Sequence, residues 1–163
     1  MLRKLFDTDD DTATAILRLV LGAVFFAHGA QKLLGAWGGP GLKGTATLLG
    51  NLGLHPTLPL AALLAFTELA GGALLVIGGA TLWVSLALLI DMLVATYKVH
   101  YPNGFFLNWS LTPGRGHGIE FNLVLIGALV CLALTGPGAL SLDERRKQTY
   151  EARARGRARA RKV

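Results

Sequence analysis

The sequence contains one cysteine, Cys131, among 163 residues. An internal disulfide, a CxxC redox pair and a thiolate metal cage are therefore excluded. Charge is also scarce. Asp, Glu, Lys and Arg together make up 16% of the chain, against about 25% in an ordinary soluble domain. So few charges cannot dress a soluble surface of this size. No P-loop and no dinucleotide-binding glycine fingerprint is present, and no metal site is assigned. Apolar residues, by contrast, are abundant, at 52% with a mean hydropathy of +0.48. The length fits one domain, and the composition points to the membrane class.

The net charge of +6 resembles a nucleic-acid footprint only until it is mapped. Residues 143–163 carry nine Lys or Arg and three Asp or Glu, whereas residues 1–142 carry seven of each sign. The basicity belongs to a short tail, and no nucleic-acid partner is expected. The tail is read as flexible, since Gly156 and the Arg-Ala alternation argue against a long amphipathic helix. Near a bilayer it attracts anionic lipid, at about 1 kcal/mol per basic residue.

A membrane helix needs about 20 mostly apolar residues. Four segments are read as spans, over residues 12–34, 58–77, 82–99 and 119–135. Arg18 interrupts the first, and His28, Gln31 and Lys32 replace a small-residue cleavage site. It is therefore read as a retained anchor helix. The expected fold is all-α: a four-transmembrane-helix bundle over 12–142, a cytoplasmic N-terminus over 1–11 and a basic cytoplasmic tail over 143–163. Pro40 and Gly53 would bound a short interfacial helix on the outer side. Tyr101, Phe105, Phe106 and Trp109, in the connection before the fourth span, suit an aromatic belt. Lys and Arg placement puts both termini in the cytoplasm.

Every span nevertheless contains ionisable groups: Arg18, His28 and Lys32, then Glu68, then Asp91 with Lys98, then Glu120. A central Arg, Lys or Asp costs about 2.5 to 3.5 kcal/mol on insertion scales. Such groups must turn inward, pair or meet water. At 1.5 Å per residue, Glu68 and Asp91 both fall roughly 13 to 15 Å from their span ends, near the midplane. By depth alone Arg18 reaches either carboxyl as an ion-pair partner. Gly22 and Gly29 share the arc of Arg18 and Lys32. Gly72 shares the face of Glu68, and Gly127 and Cys131 that of Glu120. The expected result is a polar interior open toward the outer side. His28, Lys32, Glu68, Asp91 and Glu120 are its candidate ligand-binding or proton-relay groups.

Four segments, in this order, resemble the DoxX family: HGAQKLLG (28–35), TELAGGALLVIG (67–78), MLVATYKVHYPNGFFLNW (92–109) and GIEFNLVLIGALVCLALTGPGALSLD (118–143). The resemblance covers about residues 12–143. It implies four helices in a bacterial plasma membrane and an association with quinone-linked oxidoreductase complexes. His28, Lys32, Glu68, the NGFF run and Glu120 carry over from the family motifs. Asp91 and Arg18 are proposed from their chemistry alone, and the basic tail lies outside the pattern.

Haem is disfavoured, because only His28 lies inside a span, although a haem bridging His28 and His100 stays conceivable. A quinone head group needs only an apolar slot, a donor to each carbonyl and a proton route. His28 or Lys32 could donate, and Glu68 or Glu120 could relay. With no electron carrier of its own, the chain would act as a subunit beside other members of a membrane redox complex. A non-enzymatic scaffold and a small-molecule transporter are the competing readings.

Overall fold

The computed structural model describes residues 10–160. Arg3, Lys4, Asp7 and Asp9, which bear on the orientation, lie outside the described residues. Six α-helices and no strand occur among those described: α1 (Asp10–Leu34), α2 (Gly41–Asn51), α3 (Thr57–Ile77), α4 (Thr81–Ala95), α5 (Glu120–Thr135) and α6 (Leu142–Ala160). Four of them close a ring, with α1 against α3, α3 against α4, α4 against α5 and α5 back on α1. The interior is filled by Leu21, Phe25, Leu75, Leu88, Leu129 and Leu132. Outside, Val20, Leu63, Phe66, Trp83, Ile90, Val124 and Leu134 are all exposed. An apolar exterior of this extent marks a surface made for lipid or protein.

Three stretches, Asp11–Leu34, Thr57–Ile77 and Thr81–Asn103, are long and apolar enough to cross a membrane. The expected fourth span forms α5, with 16 residues. At 1.5 Å per residue this is about 24 Å, less than a hydrocarbon core of about 30 Å. Both its ends are fixed by the backbone. The N–H groups of Gly118, Ile119 and Glu120 bond to the carbonyls of Phe106, Gly104 and Phe105. At the other end Gly136, at φ 89°, stops the helix.

The α1–α3 seam is the most extensive contact, and glycine makes it. A Cβ on Gly29 would overlap the backbone of Leu69, one on Gly72 the backbone of Phe26, and one on Gly22 the backbone of Val76. The expected glycine faces therefore do meet, and two helix backbones touch where membrane helices pack most closely. The helix α2 lies across the loop-bearing end of this pair. Its buried Thr45 hydroxyl reaches the carbonyls of Gly41 (2.8 Å) and Lys32 (3.2 Å).

At the opposite, tail-bearing end the structure corrects two expectations. Arg18 pairs with neither Asp91 nor Glu68. It is 1% exposed, and all five guanidinium N–H donors go to backbone carbonyls. Nε bonds Pro137 (2.8 Å), Nη1 bonds Leu75 (2.6 Å) and Val76 (2.9 Å), and Nη2 bonds Ala139 (3.1 Å) and Leu140 (3.4 Å). Helical side chains lean toward the helix N-terminus. Arg18 is thus aimed at the tail end, where the last carbonyls of α3 need donors.

The second correction concerns the tail, which is helical through Ala160 rather than flexible. Ala, Arg, Lys, Glu and Gln are strong helix formers. Ser141 starts this helix by accepting from the N–H of Glu144 (3.1 Å). Glu151 and Arg155 then pair one turn apart (3.4 Å).

Asp143 locks this end together. Its carboxylate accepts the N–H groups of Ala80 (2.9 Å) and Thr81 (2.8 Å), capping α4 across more than sixty residues of chain. Burial opposes ionisation of Asp143. The N–H donors of Thr81 and Ala80, with Arg146 nearby, outweigh it and hold the carboxyl below the usual carboxylate range. A depressed folded value contributes stability above the ordinary range, and that contribution is lost as pH falls through the folded value. Asp143→Asn should therefore lower the melting temperature at neutral pH, with the gap to wild type closing below about pH 4. Thermal unfolding in detergent across pH measures this. A gap that is constant with pH would contradict the ionic part of the cap.

Candidate functional site

The polar groups of the interior gather away from Arg18. Lys32 is in the last turn of α1. Its side chain leans back into the bundle and makes an ion pair with Glu68 of α3. The register set by Gly29 against Leu69 brings these two residues level. Glu68 is 1% exposed and Asp91 of α4 is 9% exposed. The Asp91 carboxyl is close enough to Glu68 to interact with it. Among the described residues, Glu68 Oε2 and Asp91 Oδ2 have no hydrogen-bond partner. Two carboxyls and one ammonium thus form a buried trio joining three helices.

Lys32 and Glu68 of this trio border a cavity of about 430 Å³, while Asp91 is not among its lining residues. Phe25, Met92, Leu107, Phe121 and Leu125 give it apolar walls, with Lys32 and Glu68 at its polar end. His28 lines it as well, with an exposed ring. So do Asn122 and His117, neither of which was an expected site residue, and His100, which the sequence offered only as a conceivable haem ligand. Because it lies among the last turns of α1 and α4, the first turns of α5 and the α4–α5 loop, the cavity opens toward the loop-bearing end.

Glu120 is not among the residues lining the cavity. It is partly exposed and shares its face with Gly127 and Cys131, both exposed. The inward stripe of α5 is instead Asn122, Leu125, Leu129 and Leu132. That 3-4-3 spacing was the readable signal for Asn122. Lys98, seven residues beyond Asp91 and so near its face in an unbroken α-helix, does not follow it into the interior. A wider π turn at Thr96–His100 shifts the phase of the helix, and Lys98 is exposed, 5.8 Å from the Tyr97 ring centre.

The loop over the cavity is rigidly built. Buried Asn108 donates to the carbonyls of Thr112 (3.0 Å) and Arg115 (2.9 Å) and accepts from the N–H of Thr112 (3.0 Å). Its own N–H donates to Nδ1 of His117 (3.1 Å). Phe105, Phe106, Trp109 and Leu111 point outward and are exposed, as a membrane-interface belt requires.

A profile of the DoxX family matches residues 13–101 of the sequence. The chain belongs to the DoxX family. A Bacillus subtilis (strain 168) protein named "Putative oxidoreductase CatD" is 32% identical over 133 residues, which cover 82% of this chain and 86% of the relative. No solved structure matches the chain. The family, the three long apolar helices and the lipid-compatible exterior together make this a DoxX membrane protein. The family profile takes in Lys32, Glu68 and Asp91 but stops before His117 and Asn122.

Proposed function

We propose that this DoxX protein is the quinone-binding subunit of a membrane oxidoreductase in the bacterial plasma membrane. In this reading α5 completes a fourth crossing, both termini are cytoplasmic and the cavity faces outward. Reporter fusions placing the two termini on opposite sides would overturn that topology. The observation that carries the proposal is the cavity itself, with apolar and aromatic walls around a charged end of Lys32 and Glu68, and with Asp91 close enough to Glu68 to interact with it. A quinone ring suits such walls, and Lys32 or His28 can donate to one carbonyl. Reduction to the quinol takes up two electrons and two protons. Electrons would pass to or from a partner subunit, and protons through the carboxyl pair. The name of the Bacillus subtilis relative agrees with redox work.

The test uses detergent-purified full-length protein. A short-chain naphthoquinone should raise the melting temperature, since ligand at 100 times its Kd stabilises by about 2.7 kcal/mol. No shift with any quinone, together with quinol oxidation unaffected by His28→Ala, would refute the proposal. An optical spectrum and lipid extract of the same preparation would reveal haem, flavin or quinone carried through purification. In the same reading, the arginines of α6 rest on anionic headgroups. Tryptic cleavage of α6 should slow in anionic nanodiscs and recover with salt. Equal rates in neutral and anionic lipid would refute this contact.

A further inference from the structure

We propose that His117 is a second hydrogen-bond donor of the cavity, so that the site selects ligands with a carbonyl at each end of an apolar ring. This rests on the quinone reading and adds a residue and a selectivity to it. Two bonds fix the tautomers of neighbouring imidazoles. The backbone N–H of Asn108 donates to Nδ1 of His117 at 3.1 Å. That nitrogen therefore presents a lone pair, and the proton of the neutral ring sits on Nε2. Nδ1 of His100 lies 2.9 Å from the carbonyl oxygen of His117. A carbonyl only accepts, so this Nδ1 donates, and the neutral His100 ring keeps its Nε2 as an acceptor. Both residues line the cavity. One brings an N–H and the other a lone pair.

The two functions suit the two states of a quinone. The N–H of His117 meets a carbonyl of the oxidised form, and the lone pair of His100 meets a hydroxyl of the reduced form. Lys32 supplies the donor at the inner end of the cavity, and His117 supplies one from the loop at its mouth. The Asn108 network holds that loop in place, so His117 is positioned before any ligand arrives.

A purely architectural role for His117 would consist of accepting the Asn108 N–H. The substitution His117→Asn preserves that role, because the amide oxygen it introduces can stand in for Nδ1, and it removes the Nε2 donor. The experiment measures the affinity of the full-length wild type and of His117→Asn for two ligands. One is 1,4-naphthoquinone. The other is 1-tetralone, a related bicycle that retains one carbonyl. We expect His117→Asn to weaken naphthoquinone binding about tenfold, the loss of one good hydrogen bond, and tetralone binding less than about twofold. Equal affinity of both proteins for naphthoquinone would overturn the role of His117 and leave the quinone reading intact. Equal weakening for both ligands would overturn it too, by pointing to a disturbed loop. Wild type that binds neither ligand would overturn the quinone reading and this inference together.

Discussion

Gly72→Ala should destabilise the protein by about 3 kcal/mol or more, at the upper end of overpacking costs. The added methyl has no free direction. It would overlap the Phe26 backbone and come within 2.7 Å of the Gly22 carbonyl oxygen. Both obstacles are main chain of α1, so no side-chain rotation relieves them. The helices must separate along their most extensive seam. Gly29→Ala should behave alike, since its methyl would overlap the backbone of Leu69. It would also move Lys32, one turn further on, away from Glu68. Gly127→Ala is the control. Nothing lies within 4 Å of its Cβ position, and alanine in a helix interior is favoured over glycine by about 1 kcal/mol. Melting temperatures and the monodisperse fraction in detergent separate the three. Equal behaviour of Gly72→Ala and Gly127→Ala would contradict the close α1–α3 seam.

Lys32→Met should cost nearly as much, for an electrostatic reason. It leaves Glu68 and Asp91 in the interior with their partner cation removed, and breaking a buried pair from one side costs about 3 to 5 kcal/mol. The reverse change is milder. The Lys32 side chain is 27% exposed against 1% for Glu68. Glu68→Gln therefore leaves an ammonium that can reach water through the cavity. The double variant Lys32→Met/Glu68→Leu should recover part of the loss, because it leaves one buried carboxyl in place of two. Chemical or thermal unfolding of wild type, Lys32→Met, Glu68→Leu and the double variant forms a double-mutant cycle. Additive losses would show that the pair is not coupled.

Much of this arrangement could be read from residue type and phase. The penalty for exposing Glu68 or Asp91 to lipid forced both inward, and the glycines at 22, 29 and 72 marked the seam. Arg18 was harder. Its depth allowed a carboxylate partner, but depth ignores the lean of a helical side chain and the appetite of α3's last carbonyls for donors. Glu120 was carried over from the family motifs, which say nothing of helical phase, whereas the Asn122–Leu132 spacing gave the inward stripe of α5. His100 and His117 could not be placed by periodicity. A π turn carries one and a folded loop the other, and neither follows a helical phase. The tail became a helix because its Ala and Arg content outweighed a single glycine.

The central claim is that the cavity bordered by Lys32 and Glu68 holds a quinone head group. The most direct measurement is photolabelling of the full-length protein in lipid nanodiscs with a photoreactive quinone, followed by peptide mapping. Adducts are predicted within residues 25–32, 92–100 and 117–125, and they should disappear when unlabelled quinone is in excess. Adducts confined to the outer surface around Phe66 and Trp83, insensitive to competitor, would contradict the claim.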